Sequence, residues 1–261
     1  MTPSTLIEVV LRRDRAIVLG GLALVAGLAW AYTLAGIGMP QGDGMAGMES
    51  MLEPMAWSVG TAVLMLAMWW VMMVAMMVPS AAPMVLLFAA ISRKQREAGK
   101  PFVPTGIFLS GYLAVWGLFS VVATGAQWGL EAAGYAPMTS GAGATLGGAI
   151  LIAAGLYQLT PLKQACLSHC RSPILFLTSH WRPGRAGAWR MGLAHGAYCL
   201  GCCWFLMALL FVGGIMNVLW IAALALYVLF EKIVPAGHWL AYAAGAALSL
   251  GGIAMMTGLW P

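Results

Sequence analysis

Residues 57–78 read WSVGTAVLMLAMWWVMMVAMMV, an apolar run without one ionisable side chain. A helix needs roughly 20 such residues to cross the hydrocarbon of a bilayer. This run is long enough, and it extends past Pro79 and Pro83 toward Phe88, where a kink is expected. Six further runs are predominantly apolar: Ala16–Ile37, Thr105–Ala126, Gly143–Leu159, Met191–Val212, Ile215–Phe230 and Ala236–Leu259. The third and fifth of these six are short. Met191–Val212 and Ile215–Phe230 meet at Gly213-Gly214 and predict a tight helical hairpin. The expected fold is all-α: one integral membrane domain over residues 1–261, a polytopic transmembrane helical bundle of about seven spans.

Composition agrees. The chain is 62% hydrophobic and 8% charged, whereas a soluble domain carries about a quarter charged residues. The net charge is +5, but the basic residues lie between apolar runs and act as topology determinants rather than as a nucleic-acid surface. No nucleic-acid motif is present. Five cysteines are too few and too clustered for a disulfide-stapled secreted domain. Methionine, at 19 residues, is the compositional outlier, and tryptophan, at 12, is also enriched.

The basic residues predict the orientation. With the N-terminus in the cytoplasm, Arg12, Arg13 and Arg15 are inside, as are Arg93, Lys94, Arg96 and Lys100. So are Lys163, Arg171, Arg182, Arg185 and Arg190 of the basic loop 160–190, and Lys232. That accounts for every lysine and arginine. The outer loops hold Asp43, Glu49, Glu53 and Glu131 and no base, the positive-inside pattern. The C-terminus is then periplasmic, and the first run is read as an uncleaved helix rather than a signal peptide. Glycines at 20, 21, 27, 143, 147, 148, 245, 251 and 252 are expected to permit close helix approach.

Three groups of soft donors stand out. The loop 39–56 carries Met39, Met45, Met48, Met51 and Met55 among glycines and acids. A thioether suits Cu(I), does not suit hard cations, and needs no deprotonation. Within Trp57–Val78, Met65, Met68, Met72 and Met76 fall inside an arc of roughly 80° at about 100° per residue, with Met73 and Met77 flanking it. This stripe rises about 16 Å, half the hydrocarbon core. The third group is His195-Gly196-Ala197-Tyr198-Cys199-Leu200-Gly201-Cys202-Cys203. With His195 at zero, Cys199 lies near 40°, Cys202 near −20° and Cys203 near 80°, so one face presents an imidazole and three sulfurs. Cys166 and Cys170 share a helix face as an i, i+4 pair in the preceding segment, and are expected to converge on that face. His169 is read as solvated, His180 and His238 as interfacial, Glu231-Lys232 as an interfacial ion pair, and Asn217 as a helix cap.

Trp69-Trp70-Val71-Met72-Met73-Val74-Ala75-Met76-Met77-Val78-Pro79 is one of three motifs that go together. The others are Tyr157-Gln158-Leu159-Thr160-Pro161-Leu162-Lys163 with Cys166 and Cys170-Arg171-Ser172-Pro173, and His195 through Trp204. The combination resembles the bacterial "predicted metal-binding integral membrane protein" family, a domain-of-unknown-function family. The resemblance covers most of the chain after the first helix. It implies a multi-pass protein of the bacterial inner membrane that binds metal, without supplying a reaction.

The residues themselves point to copper, as Cu(I), handled for transport, storage or delivery to a copper enzyme. The partners would be the lipid bilayer, the ion and a periplasmic copper protein or metallochaperone. Zinc would also accept a thiolate–imidazole set. A nucleotide-binding motif for ATP-driven pumping is absent, and no catalytic residue is assigned. The alternative is a membrane thiol–disulfide oxidoreductase built on the Cys199–Cys202 pair; the third reading is a scaffold without chemistry.

Overall fold

The computed structural model describes residues 3–36, 57–99, 102–135, 143–234 and 237–259, the backbone alone for 3–14 and 237. All described regular structure is helical. The helices are α1 (Pro3–Leu34), α2 (Val59–Glu97), α3 (Thr105–Ala132), α4 (Ala144–Gln158) and α5 (Pro161–Arg171). They continue with α6 (Pro173–His180), α7 (Gly184–Ala208), α8 (Leu210–Gly213), α9 (Val218–Ile233) and α10 (Gly237–Met256). The loop 39–56, with Met45, Met48 and Met51, lies outside the described residues.

Five helices among the described residues are long and apolar enough to cross a bilayer, or six if the α4–α5 pair counts as one broken span. That pair is bent by 65°. The expected run Ile215–Phe230 falls in α9, whose 16 residues reach only about 24 Å at 1.5 Å per residue.

The long helix α2 is the axis of the bundle. Ser58 caps it by accepting a hydrogen bond from the Thr61 amide at 3.1 Å. It then runs through Pro79 and Pro83 and ends beyond Lys94 and Arg96 at Gly99, which has φ 75°. Pro79 has no amide proton, so the Ala75 carbonyl loses its usual intrahelical donor. The Trp30 indole of α1 replaces it, donating to Ala75 O at 3.0 Å. The broken intrahelical hydrogen bond is thus replaced by one from a neighbouring helix, and the replacement pins α1 to α2.

Glycines set two other contacts. In α3 and α7, Gly111 and Gly192 put each helix against the other's backbone. In α4 and α10, a methyl built on Gly252 would stand 2.6 Å from the Gly148 carbonyl oxygen, and one on Gly155 would stand 2.7 Å from the Gly245 carbonyl oxygen. The expected role of Gly148, Gly245 and Gly252 is therefore observed. Gly20, Gly21, Gly27, Gly143 and Gly251 instead face open space. At the α8–α9 turn, Gly214 adopts φ 91°, and Asn217 caps α9 by accepting from the Trp220 amide at 3.2 Å.

These contacts predict opposite signs for one substitution at two sites. Gly155→Ala should destabilise the protein by about 1–3 kcal/mol through overpacking. Gly251→Ala should be neutral or stabilising by up to about 1 kcal/mol, since alanine favours the helix. Unfolding of the detergent-solubilised chain measures both.

Candidate metal centre

The thiols are brought together by the bend between α4 and α5. Thr160 caps α5, accepting from the Lys163 amide at 3.3 Å, and Pro161 fills its first turn. The helix then folds back along α7. Its closest approach is at Gly201, where an added methyl would stand 2.8 Å from Cys166 Sγ. One turn on, the Cys170 side chain packs beside Cys199 and Cys202. Cys199, Cys202 and Cys203 are buried on α7, Cys166 and Cys170 are half-buried, and all five are free thiols.

Cys199 is the hub. Its Sγ accepts from the Lys232 ammonium of α9 at 2.9 Å and lies 3.1 Å from the Tyr112 hydroxyl of α3. Lys232 also donates to Ser80 Oγ at 3.0 Å. Ser80 and Tyr112 both donate to the Met77 carbonyl, at 2.9 and 3.2 Å. Five helices, α2, α3, α5, α7 and α9, therefore meet around one sulfur.

Cys202 and Cys203 turn inward on their own helix, each donating its S–H to the Cys199 carbonyl, at 3.0 and 2.9 Å. Among the described residues, no three His, Cys, Asp or Glu side chains stand arranged to hold one metal ion. The back-bonded thiols supply the physical reason: a metal would require them to rotate about χ1, exchanging a weak S–H hydrogen bond for a metal–sulfur bond. His195, one turn before Cys199, is buried and stacked on Tyr112 at 5.6 Å and on Phe108 at 6.1 Å. Its Nδ1 is buried without a hydrogen-bond partner. An unpartnered buried imidazole nitrogen is costly unless something fills its lone pair or takes its proton.

The methionine stripe lies inside the protein. Met65, Met68, Met72 and Met76 are all buried, as are Met73 and Met77. At its far end Met65 Sδ receives the Gln127 amide at 3.8 Å. Gln127 is fixed by Trp69, which donates to it at 2.8 Å, and by Glu131, to which it donates at 2.9 Å. At the near end Met77 is one turn from Ser80. The stripe therefore joins the Gln127–Glu131 end of the bundle to the Lys232–Cys199 contact.

One sequence expectation is corrected. Glu231 and Lys232 do not pair with each other: both are buried inside the protein, and neighbours in a helix diverge by about 100°. Glu231 pairs instead with Lys163 at 2.6 Å. Lys163 also donates to Gln158, and Tyr227 links Gln158 to Glu231, at 2.9 and 3.2 Å. His169 is partly exposed; its ring stacks on Tyr198 at 4.1 Å, and its Nδ1 lies 2.8 Å from the Ala165 carbonyl oxygen.

Sequence reasoning passed over Lys232, Tyr112, Ser80 and the Lys163–Glu231 pair as parts of the site. For the lysines and the glutamate a signal was available: an ionisable residue at the edge of an apolar run needs a buried partner if the helix carries it inward.

The fold is all-helical among the described residues, with five free thiols and a row of buried methionines brought among its helices. Residues 66–255 match the family PpoB2, described as "Copper chaperone", and the chain belongs to that family. No curated protein and no solved structure matches it.

The α5–α7 contact makes a direct prediction. In a chain retaining only Cys170 and Cys202, mild oxidation should form an intramolecular disulfide that holds the fragments together after proteolysis near Arg182. Fragments that separate under non-reducing conditions would contradict this packing.

Proposed function

We propose that this protein is a membrane-embedded Cu(I) chaperone, in which Cys170, Cys199, Cys202 and Cys203, with His195, hold the ion before its delivery to a copper protein. The observation that carries the reading is the meeting of the Cys170 thiol of α5 with the α7 thiols around Cys199. Membership in a copper chaperone family supports it. Copper is the cargo here, and only the chain's own groups are assigned roles. Cys199 and Cys170 offer sulfurs from two different helices. Cys202 and Cys203 are reserve sulfurs released by rotation from the Cys199 carbonyl. Cys166, against Gly201, lies one turn earlier on α5 as the next sulfur on that face.

Lys232 sets the charge. Two thiolates around a monovalent cation leave a net negative charge, and burying it is expensive unless a cation lies beside it. The Lys232 ammonium already touches Cys199 Sγ. One ammonium matches the single negative charge of a Cu(I) ion between two thiolates. The thioethers of α2 point the same way, since they bind Cu(I) well and Zn(II) poorly.

Transfer between sulfurs needs only exchange of one soft donor for the next. The route proposed runs from the methionines of loop 39–56, including Met45, Met48 and Met51, along Met65, Met68, Met72 and Met76 to the thiols. This requires the N-terminus in the cytoplasm, loop 39–56 in the periplasm, and insertion in the bacterial inner membrane; the one-sided basic residues support that topology. Thiol–disulfide exchange fits less well, because Cys199, Cys202 and Cys203 are at most 1% exposed, and exchange needs access for an attacking sulfur.

Competition with a chromophoric Cu(I) chelator tests the centre. Cys199→Ser with Cys202→Ser should abolish tight Cu(I) binding in the purified protein. Retention of wild-type affinity by the double variant would exclude this centre. Separately, reporter fusions at Gly47 and Arg182 should report opposite sides of the membrane.

A further inference from the structure

A second group of sulfurs lies apart from the thiols, where α1 ends and α9 begins. Met68 and Met72 of α2, Met216 of the α8–α9 turn, and Tyr32, Thr33 and Gly36 at the end of α1 line one small cleft with about 10 Å³ of free volume. Met68 and Met72 are buried, and Met216 is half-buried. Met216 is held in place by its surroundings: Gly214 turns the chain at φ 91°, and Asn217 caps α9 immediately after it. The wall from α1 is fixed as well, through the Trp30 bond to the Ala75 carbonyl.

We propose that Met68, Met72 and Met216 form a separate thioether site for a monovalent soft metal ion, Cu(I) or its analogue Ag(I). The proposal rests on the Cu(I) reading of the chain and adds to it a holding point with its own ligands. Volume and chemistry decide the occupant. Room on the order of one water excludes an organic ligand. Water itself needs two to four polar partners, and the polar side chains of the lining are Tyr32 and Thr33 alone, the Thr33 hydroxyl spending its proton on the Ala29 carbonyl at 2.9 Å. No carboxylate, imidazole or thiol lines the cleft, so divalent zinc, calcium and magnesium lack their preferred donors. Three thioethers are a donor set that selects a soft ion. Being neutral, they do not compensate its charge, so the ion is held less firmly than among thiolates. On the proposed topology the cleft lies toward the periplasmic end, and Met72 leads on to Met76, Met77 and the thiols. Met216 is the residue the stripe lacked: it comes from a different helix pair and closes the third side.

The test uses the full chain in detergent with 13C-methyl methionine, titrated with silver nitrate. The methyl resonances of Met68, Met72 and Met216, assigned by single Met→Leu substitutions, should shift together along one saturable curve. Leucine preserves volume and apolarity while removing the sulfur. Met216→Leu should therefore abolish the shifts of Met68 and Met72 without unfolding the protein. Zinc chloride should move none of the three.

Unmoved methyls at these positions while silver shifts others would overturn the proposal. So would shifts of Met68 and Met72 that persist unchanged in Met216→Leu. Protection of Cys199 from alkylation, read in the same samples, separates this site from the thiol centre. Methyl shifts without thiol protection would support the cleft and sink the inner centre; protection without shifts would do the reverse.

Discussion

The hydrogen bond from the Lys232 ammonium to the Cys199 sulfur, at 2.9 Å, is the contact around which the core is organised. An ammonium buried among apolar helices is tolerable only beside groups that can accept its protons or balance its charge. Lys232 finds Cys199 Sγ and Ser80 Oγ. These come from α7 and α2, so satisfying one lysine of α9 locks three helices together. Tyr112 adds α3 through the same sulfur, and Cys170 adds α5. Removing the lysine would leave the sulfur without its charged neighbour; removing the sulfur would strand the lysine.

The neighbouring Lys163–Glu231 pair works by the same logic one residue earlier on α9. Both side chains are fully buried; Lys163 also donates to Gln158 and Tyr227 donates to Glu231 Oε1, while Glu231 Oε2 has no hydrogen-bond partner. The pair ties the start of α5 to α9, which positions α5 so that its cysteines face α7. The glycine between Leu200 and Cys202 completes the arrangement. A side chain at position 201 would collide with Cys166 and push the helices apart.

Much of this was legible in the sequence because it depends on period and on length. The helical class follows from apolar runs, and the methionine stripe from spacing along one helix. Convergence of Cys170 with Cys199 and Cys202 followed from two segments ending on the same side of a bundle. What escaped were contacts between residues far apart in the chain. Lys232 and Ser80 are separated by 152 positions, and nothing local marks them as partners. Glu231 and Lys232 looked like a pair because they are adjacent, whereas a helix sends adjacent side chains in different directions. Met216 sits in a turn, where no periodic pattern could attach it to the stripe. The expected roles of Met45, Met48 and Met51 fall outside the described residues.

The account's central claim is that buried sulfur, not oxygen, holds the ion. X-ray absorption at the copper edge of the full chain, loaded with one equivalent of Cu(I) under anaerobic conditions, addresses it most directly. The account predicts a Cu(I) edge with a first shell dominated by two or three sulfurs, and an imidazole contribution if His195 joins them. A first shell of oxygen and nitrogen without sulfur would contradict it.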